Sequence, residues 1–157
     1  MSRTDDALEP RKHPRVARVY RGERIEVLWE PRLCVHEAEC FRGSPEAFDP
    51  WSRPWVRPDA TDPDTLAEVV MRCPAGALHF RRLDGGPQEP ASDEVSGRAT
   101  TNGPLHVRGK VTIVDQAGHV VREDTRMALC RCGASANKPF CDGSHARVRF
   151  RDRNEPV

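Results

Sequence analysis

The chain has no long apolar run. Nothing in its 157 residues approaches the ~20 consecutive apolar positions of a membrane-spanning helix, so no membrane role is expected. The opening stretch MSRTDDALEPRKHPR lacks the apolar segment of a secretory signal, which points to a reducing cytoplasm. There, clustered cysteines serve metals rather than disulfides. An excess of one charge is missing too. A formal net charge of +1 gives no electrostatic reason to expect nucleic acid or a membrane surface as partner. Arginine greatly outnumbers lysine, which is ascribed to codon usage rather than to function. Aromatics are scarce, at 6%, and hydrophobic residues reach only 37% against 31% charged, which is lean for one large core. The length suits one ordinary domain or two small ones, and small domains often need a metal or disulfides to be stable. Finally, there is no G-x-G-x-x-G, no phosphate loop and no obvious catalytic triad.

What the chain does have is six cysteines in two groups. Cys34, Cys40 and Cys73 lie in the first half, and Cys130, Cys132 and Cys141 in the last third. Between them, residues 83–104 (LDGGPQEPASDEVSGRATTNGP) are rich in Gly, Pro, Ser, Thr and acids, and read as a flexible linker. Residues 1–17 read as a disordered polar tail. That leaves domains over 18–82 and 105–157. In the first, Ile25, Val27 and Trp29 alternate as in a strand. Asp62-Pro63 offers an N-cap and a first-turn proline, and Leu66, Val69, Val70 and Cys73 follow at helical spacing until Cys73-Pro74 stops the helix. Residues 77–81 read as a second strand that pairs with the first. In the second domain, Leu105–Arg108, Val111–Val114 and His119–Arg122 read as short strands, with a hairpin turn over Asp115–Gly118. Trp29, Trp51 and Trp55 are read as packing residues. His13, His79, His106 and His119 show no ligand spacing.

The run from Cys130 to His145, CRCGASANKPFCDGSH, puts three thiols and an imidazole inside one loop with spacing C-x-C-x8-C-x3-H. Soft thiolates on a loop are what an iron–sulfur cluster needs, since its ligands must converge from different directions. Gly133 and Gly143 let the backbone pass close to the bound group, Pro139 stiffens the loop, and Asp142 or Ser144 is placed to cap a short helix carrying His145. Lys138 and Arg131 either screen the site's charge or are simply solvated. A Cys3His zinc site is the competing reading, but zinc sites usually use C-x2–4-C, and C-x-C is tighter. Cys130, Cys132, Ser135, Pro139, Cys141, Asp142, Gly143, Ser144 and His145 together resemble the signature of the CDGSH iron–sulfur family, C-x-C-x2-S/T-x3-P-x-C-D-G-S/T-H. The resemblance implies a 2Fe–2S cluster, with Cys130 and Cys132 on one iron and Cys141 and His145 on the other. A neutral His ligand in place of a thiolate raises the potential, as in Rieske centres, and gives a site that acid labilises.

The first group reads CVHEAEC from Cys34 to Cys40, with Cys73 in CPAGAL. Compared with the ferredoxin pattern C-x2-C-x2-C…C-P, the middle cysteine is replaced by Glu37. With Phe48-Asp49-Pro50 and Pro54-Trp55, the stretch resembles a divergent single-cluster ferredoxin family. Three cysteines hold a 3Fe–4S cluster unaided, or a 4Fe–4S cluster with a fourth ligand from His36, Glu37 or solvent. Carboxylate is a hard ligand and His36 sits one residue off, so the thiolate count slightly favours 3Fe–4S.

The expected fold class is α+β: a small ferredoxin-like domain, then a small β-rich CDGSH-type domain. The resemblances assign every cysteine to a cluster and leave none as a nucleophile. The expected function is one-electron transfer between a reductase and an oxidising enzyme, with no catalysis of its own. Cluster donation, or redox and pH sensing through His145, is the alternative. Some CDGSH relatives form homodimers through exchanged strands; here the ferredoxin half is an alternative cover for that surface.

Overall fold

The computed structural model describes residues 17–157; the tail read over 1–17, His13 included, lies outside them except for Ala17. The chain forms two compact units. One comprises 17–31, Glu37–Cys73 and Ala77–Pro90, the other Arg32–His36, Pro74–Gly76 and Ala91–Val157. Each holds a three-stranded antiparallel sheet, and the fold is mixed α and β.

In the first unit β1 (Arg18–Arg21), β2 (Ile25–Trp29) and β3 (Leu78–Arg82) lie in that order. The alternation of Ile25, Val27 and Trp29 does form a strand, and it pairs with the later one as expected, Val27 opposite Phe80 and Trp29 opposite Leu78. As the central strand β2 is covered on both faces, so Glu26 is buried and is paired with Arg21 (3.0 Å) and Arg81 (2.6 Å). Strand β1 escapes sequence reading because it is a short edge strand whose Val19 is largely exposed.

Helix α1 (Glu39–Gly43) is short, and α2 (Pro63–Met71) begins where Asp62-Pro63 directs, with the Asp62 side chain accepting the Thr65 N–H at 3.0 Å. Leu66, Val69 and Val70 face the sheet and join Ile25, Val27, Phe48, Val56, Leu78 and Phe80 in the core. Each such side chain contributes about 1.5–3 kcal/mol by leaving water. Trp29 and Trp55 meet edge to face at 4.8 Å on the core's rim. Trp51 differs from expectation. It is 80% exposed and touches Phe41 edge-on at 5.3 Å, because Asp49 holds the turn by accepting the Trp51 N–H and the Ser52 hydroxyl.

In the second unit β4 (Ser96–Ala99), β5 (Leu105–Val114) and β6 (Val120–Leu129) form a sheet in that order. The two short strands expected at 105–108 and 111–114 are one strand with a register shift between Arg108 and Val111. The hairpin turn is as expected, with Asp115 accepting the N–H groups of Ala117 and His119 at 2.9 Å. The stretch read as a flexible linker is irregular over 83–95 but is not coil throughout. Strand β4 lies within it, fully exposed and held by pairing with β5 rather than by burial, so composition gives no sign of it. Earlier in the same stretch, Gln88 exchanges two hydrogen bonds with the Arg82 backbone (2.9 and 3.0 Å), and Glu89 accepts the Phe80 N–H at 2.7 Å. These two side chains occupy the free edge of β3 as a further strand would.

Candidate metal centres

The Cys130–His145 loop starts at the end of β6 and folds back on it. Cys130 N–H donates to Pro139 O (2.9 Å) and Cys141 N–H to Ala128 O (2.8 Å), with a bridge between Leu129 and Phe140. These bonds set one ligand pair opposite the other. Ser135, which the sequence marks only as a letter of a motif, is buried. Its hydroxyl donates to Phe140 O (2.6 Å) and accepts the Asn137 N–H (3.0 Å), closing the loop from inside. His145 rides on helix α3 (Ser144–Arg147). Gly143, at φ 87°, takes the N-cap position, so neither Asp142 nor Ser144 caps in the expected way. Asp142 instead links both halves of the loop, accepting Ser144 N–H (3.0 Å) and Ala136 N–H (2.9 Å). Hydrogen bonding, from Ser144 foremost, holds its carboxyl down at about 2. Gly133 and Gly143 are needed for their positive φ rather than for space, since an added Cβ meets nothing closer than 3.8 Å at either.

The four ligand-type side chains come as two pairs. Cys130 Sγ and Cys132 Sγ are 3.8 Å apart, and Cys141 Sγ and His145 Nδ1 are 3.4 Å apart. With metal–sulfur bonds of ~2.3 Å and metal–nitrogen bonds of ~2.0–2.1 Å, the edge of a tetrahedral site is about 3.5–3.8 Å. Each pair therefore has the spacing to share one metal. Among the described residues, no three His, Cys, Asp or Glu side chains converge on a single ion position. A structural zinc site asks for four ligands around one point. The loop supplies its four groups as two close pairs, a spacing that would fit one metal at each pair. Ala134 N–H points at Cys132 Sγ (3.3 Å) and Gly143 N–H at Cys141 Sγ (3.4 Å), donors that stabilise thiolate.

The pairs differ electrostatically. Burial acts to raise the Cys130 thiol, but the N–H groups of Ser135 and Gly133 and the neighbouring Cys132 outweigh it, and the net shift is down. At Cys141 burial dominates and pushes the thiol up. Since thiolate is the ligand form, these shifts favour metal binding at Cys130 and oppose it at Cys141. Neither nearby cation is simply solvated. Arg131 donates to the carbonyls of Thr100 (2.9 Å) and Gly103 (3.0 Å), pairs with Asp152 (2.9 Å) and lies over the Phe150 ring. Lys138 Nζ donates to Ser135 O at 3.1 Å.

The other three cysteines, Cys34, Cys40 and Cys73, are half-buried. Cys34 follows a turn of 3-10 helix over Pro31–Leu33 that is anchored by buried Leu33, and its Sγ is 3.8 Å from His36 Nδ1. His36 and Ala38 both adopt positive φ, 60° and 59°. For residues with a Cβ that costs roughly 1–2 kcal/mol each, and such strain gathers at ligand clamps. Glu37 between them is exposed, and its carbonyl accepts from Arg42 at 2.6 Å. Cys40 stands on α1 and Cys73 just beyond α2, and both pack against the core of the first unit.

Residues 20–83 match the family described as a divergent 4Fe–4S mono-cluster. Residues 102–146 match the one described as an iron-binding zinc finger of CDGSH type. The uncharacterized protein YjdI of Escherichia coli K12 is 39% identical over 64 residues, which cover 41% of this chain and 84% of that relative. YjdI of Escherichia coli O157:H7 matches to the same extent. The first match is to a cluster of the 4Fe–4S kind, so the slight preference for 3Fe–4S from counting thiolates gains no support.

Proposed function

Because the chain belongs to the divergent 4Fe–4S mono-cluster family and joins to it an iron-binding CDGSH domain, we propose that it is a two-cluster carrier of single electrons. It would work between a reductase and an oxidising partner protein. The observation that carries this reading is that the two close pairs, Cys130 with Cys132 and Cys141 with His145, lie in the stretch matched by the iron-binding CDGSH family. A 4Fe–4S cluster on Cys34, Cys40 and Cys73 completes the pair. It needs a fourth ligand, and of the two protein groups in the loop, both exposed, His36 is the one with a ring nitrogen 3.8 Å from Cys34 Sγ. The protein's part is to supply the ligands, aim N–H groups at their sulfurs and keep water from Cys141, all of which tune a cluster's potential.

Anaerobic purification with metal and sulfide analysis and EPR tests this. About six irons and six sulfides per chain are expected, with two distinct reduced signals. One zinc per chain, or iron without sulfide, would overturn it. Partial exposure of His145 supports a second reading, cluster donation, because a neutral, protonatable ligand opens more readily than thiolate. Mixing the loaded protein with an apo-ferredoxin separates the two. Cluster transfer without electron exchange favours donation, and rapid reduction with both clusters retained favours the carrier.

A further inference from the structure

Cys141 is the most enclosed thiol of its loop, at 4% exposed, whereas Cys130 and Cys132 are half-buried. Its cover does not come from its own loop alone. Cys141 packs with Ala128 of β6, with Ala75 and with Val35. Val35 directly follows Cys34, and Ala75 stands two residues after Cys73. Both lie in the compact unit that contains the loop, through the segments Arg32–His36 and Pro74–Gly76.

The fit of these segments is specific. Asn137 Nδ2 donates to Arg32 O at 2.9 Å. A Cβ on Gly143 would sit 3.8 Å from Val35 O, an ordinary contact distance. Gly76 has φ 68°, and a Cβ there would collide with the Arg126 carbonyl oxygen of β6. Only glycine lets Pro74–Gly76 lie this close to the strand that leads into the loop.

We infer that Val35, Ala75 and Gly76 are positioning residues of the Cys141–His145 pair, so that metal held at Cys34 and metal held by the Cys130–His145 loop stabilise each other. This rests on reading both as metal sites. Ligation at Cys34 fixes the residue before Val35 and so fixes the wall over Cys141. With Cys34 empty, the segment moves more freely and admits water and chelator to a thiolate that the wall otherwise keeps dry. Linkage makes the effect mutual.

The test uses the full-length protein, loaded anaerobically, with chelator-driven cluster loss followed by absorbance and EPR. Val35→Ala should speed loss from the Cys130–His145 loop about fivefold, with Val35→Ile near the wild-type rate, and Gly76→Ala should speed it about tenfold. Cys34→Ser should also speed it, and Cys141→Ser should alter the EPR signal of the Cys34 site. Rates within about twofold of wild type for Val35→Ala and Cys34→Ser, in chains with wild-type circular dichroism, would overturn the inference. Should Gly76→Ala fail to fold, the milder Val35→Ala still decides. A wild-type chain that carries only zinc would sink the electron-carrier reading separately, and zinc release from the same variants would then judge the wall.

Discussion

The two units close in different ways. The first folds over a continuous apolar core in which α2 covers the sheet with Leu66, Val69 and Val70. The second buries fewer apolar side chains: Leu33, Val107, Met127 and Phe140 besides the cluster of Ala75, Ala128 and Cys141. Both bury ionic groups, Glu26 with Arg21 and Arg81 in the first, Arg126 (1% exposed) and the Arg122–Asp124 pair in the second. The unit with the smaller apolar core has more to gain from ligation, because metal binding adds folding free energy that side-chain packing does not supply. In the first unit Cys40 and Cys73 only pack against a larger core, so loss of a ligand there is expected to leave most of that core in place.

The largest expected effect breaks the two units apart. Stripping the metals with chelator should lower amide-exchange protection in β5 and β6 by at least about a hundredfold while β2 and β3 change far less. Equal loss in both sheets would refute the contrast. Single side chains should then divide the same way. Leu66→Ala should cost about 2–5 kcal/mol, read in the unfolding of the first sheet, with iron at the Cys130–His145 loop retained. Asp124→Ala should cost about 3–5 kcal/mol in the second, because it removes a partner of the buried Arg122 charge. His145→Cys sharpens the ligand side of the comparison. Ligation needs the neutral imidazole, so affinity falls as pH falls, and a thiolate in its place should hold visible absorbance to lower pH. An unchanged acid midpoint would remove His145 from the acid response. The smallest effect is at the α2 cap. Hydrogen bonds from Thr65 lower the Asp62 carboxyl, so its contribution is full above the ordinary carboxylate range and is lost as pH falls through the lowered value. Asp62→Ala should lower the melting temperature of the first unit by about 3 °C at neutral pH, and by less in acid.

Some of this was legible in the chain and some was not, for physical reasons. The Cys130–His145 loop could be read because its ligand-type residues are close in sequence and its turns demand particular residues. Helix α2 could be read because Asp62-Pro63 and its apolar spacing act locally. Strand β4 is held by backbone pairing alone, and its side chains carry no record of that. The wall over Cys141 joins residues far apart in sequence, Val35 and Ala75 among them, and no spacing rule connects them. Ser135, Asn137 and Asp142 were visible as letters, but their work in closing the loop shows only in three dimensions. Trp51 was misread because hydrophobicity predicts burial, whereas Asp49 sets the turn that turns this ring outward.

The side chains of Gln88 and Glu89 along β3 carry one more consequence. A sheet's outermost backbone groups are an invitation to any extended chain nearby, including another copy of the same protein. Here the Phe80 and Arg82 N–H groups are answered by side chains. The stretch between the two cysteine groups is thus a seal as well as a tether. Shortening it through Gln88 and Glu89 would leave an adhesive border, and the loss would appear first as self-association at high concentration, before any change at the metal ligands.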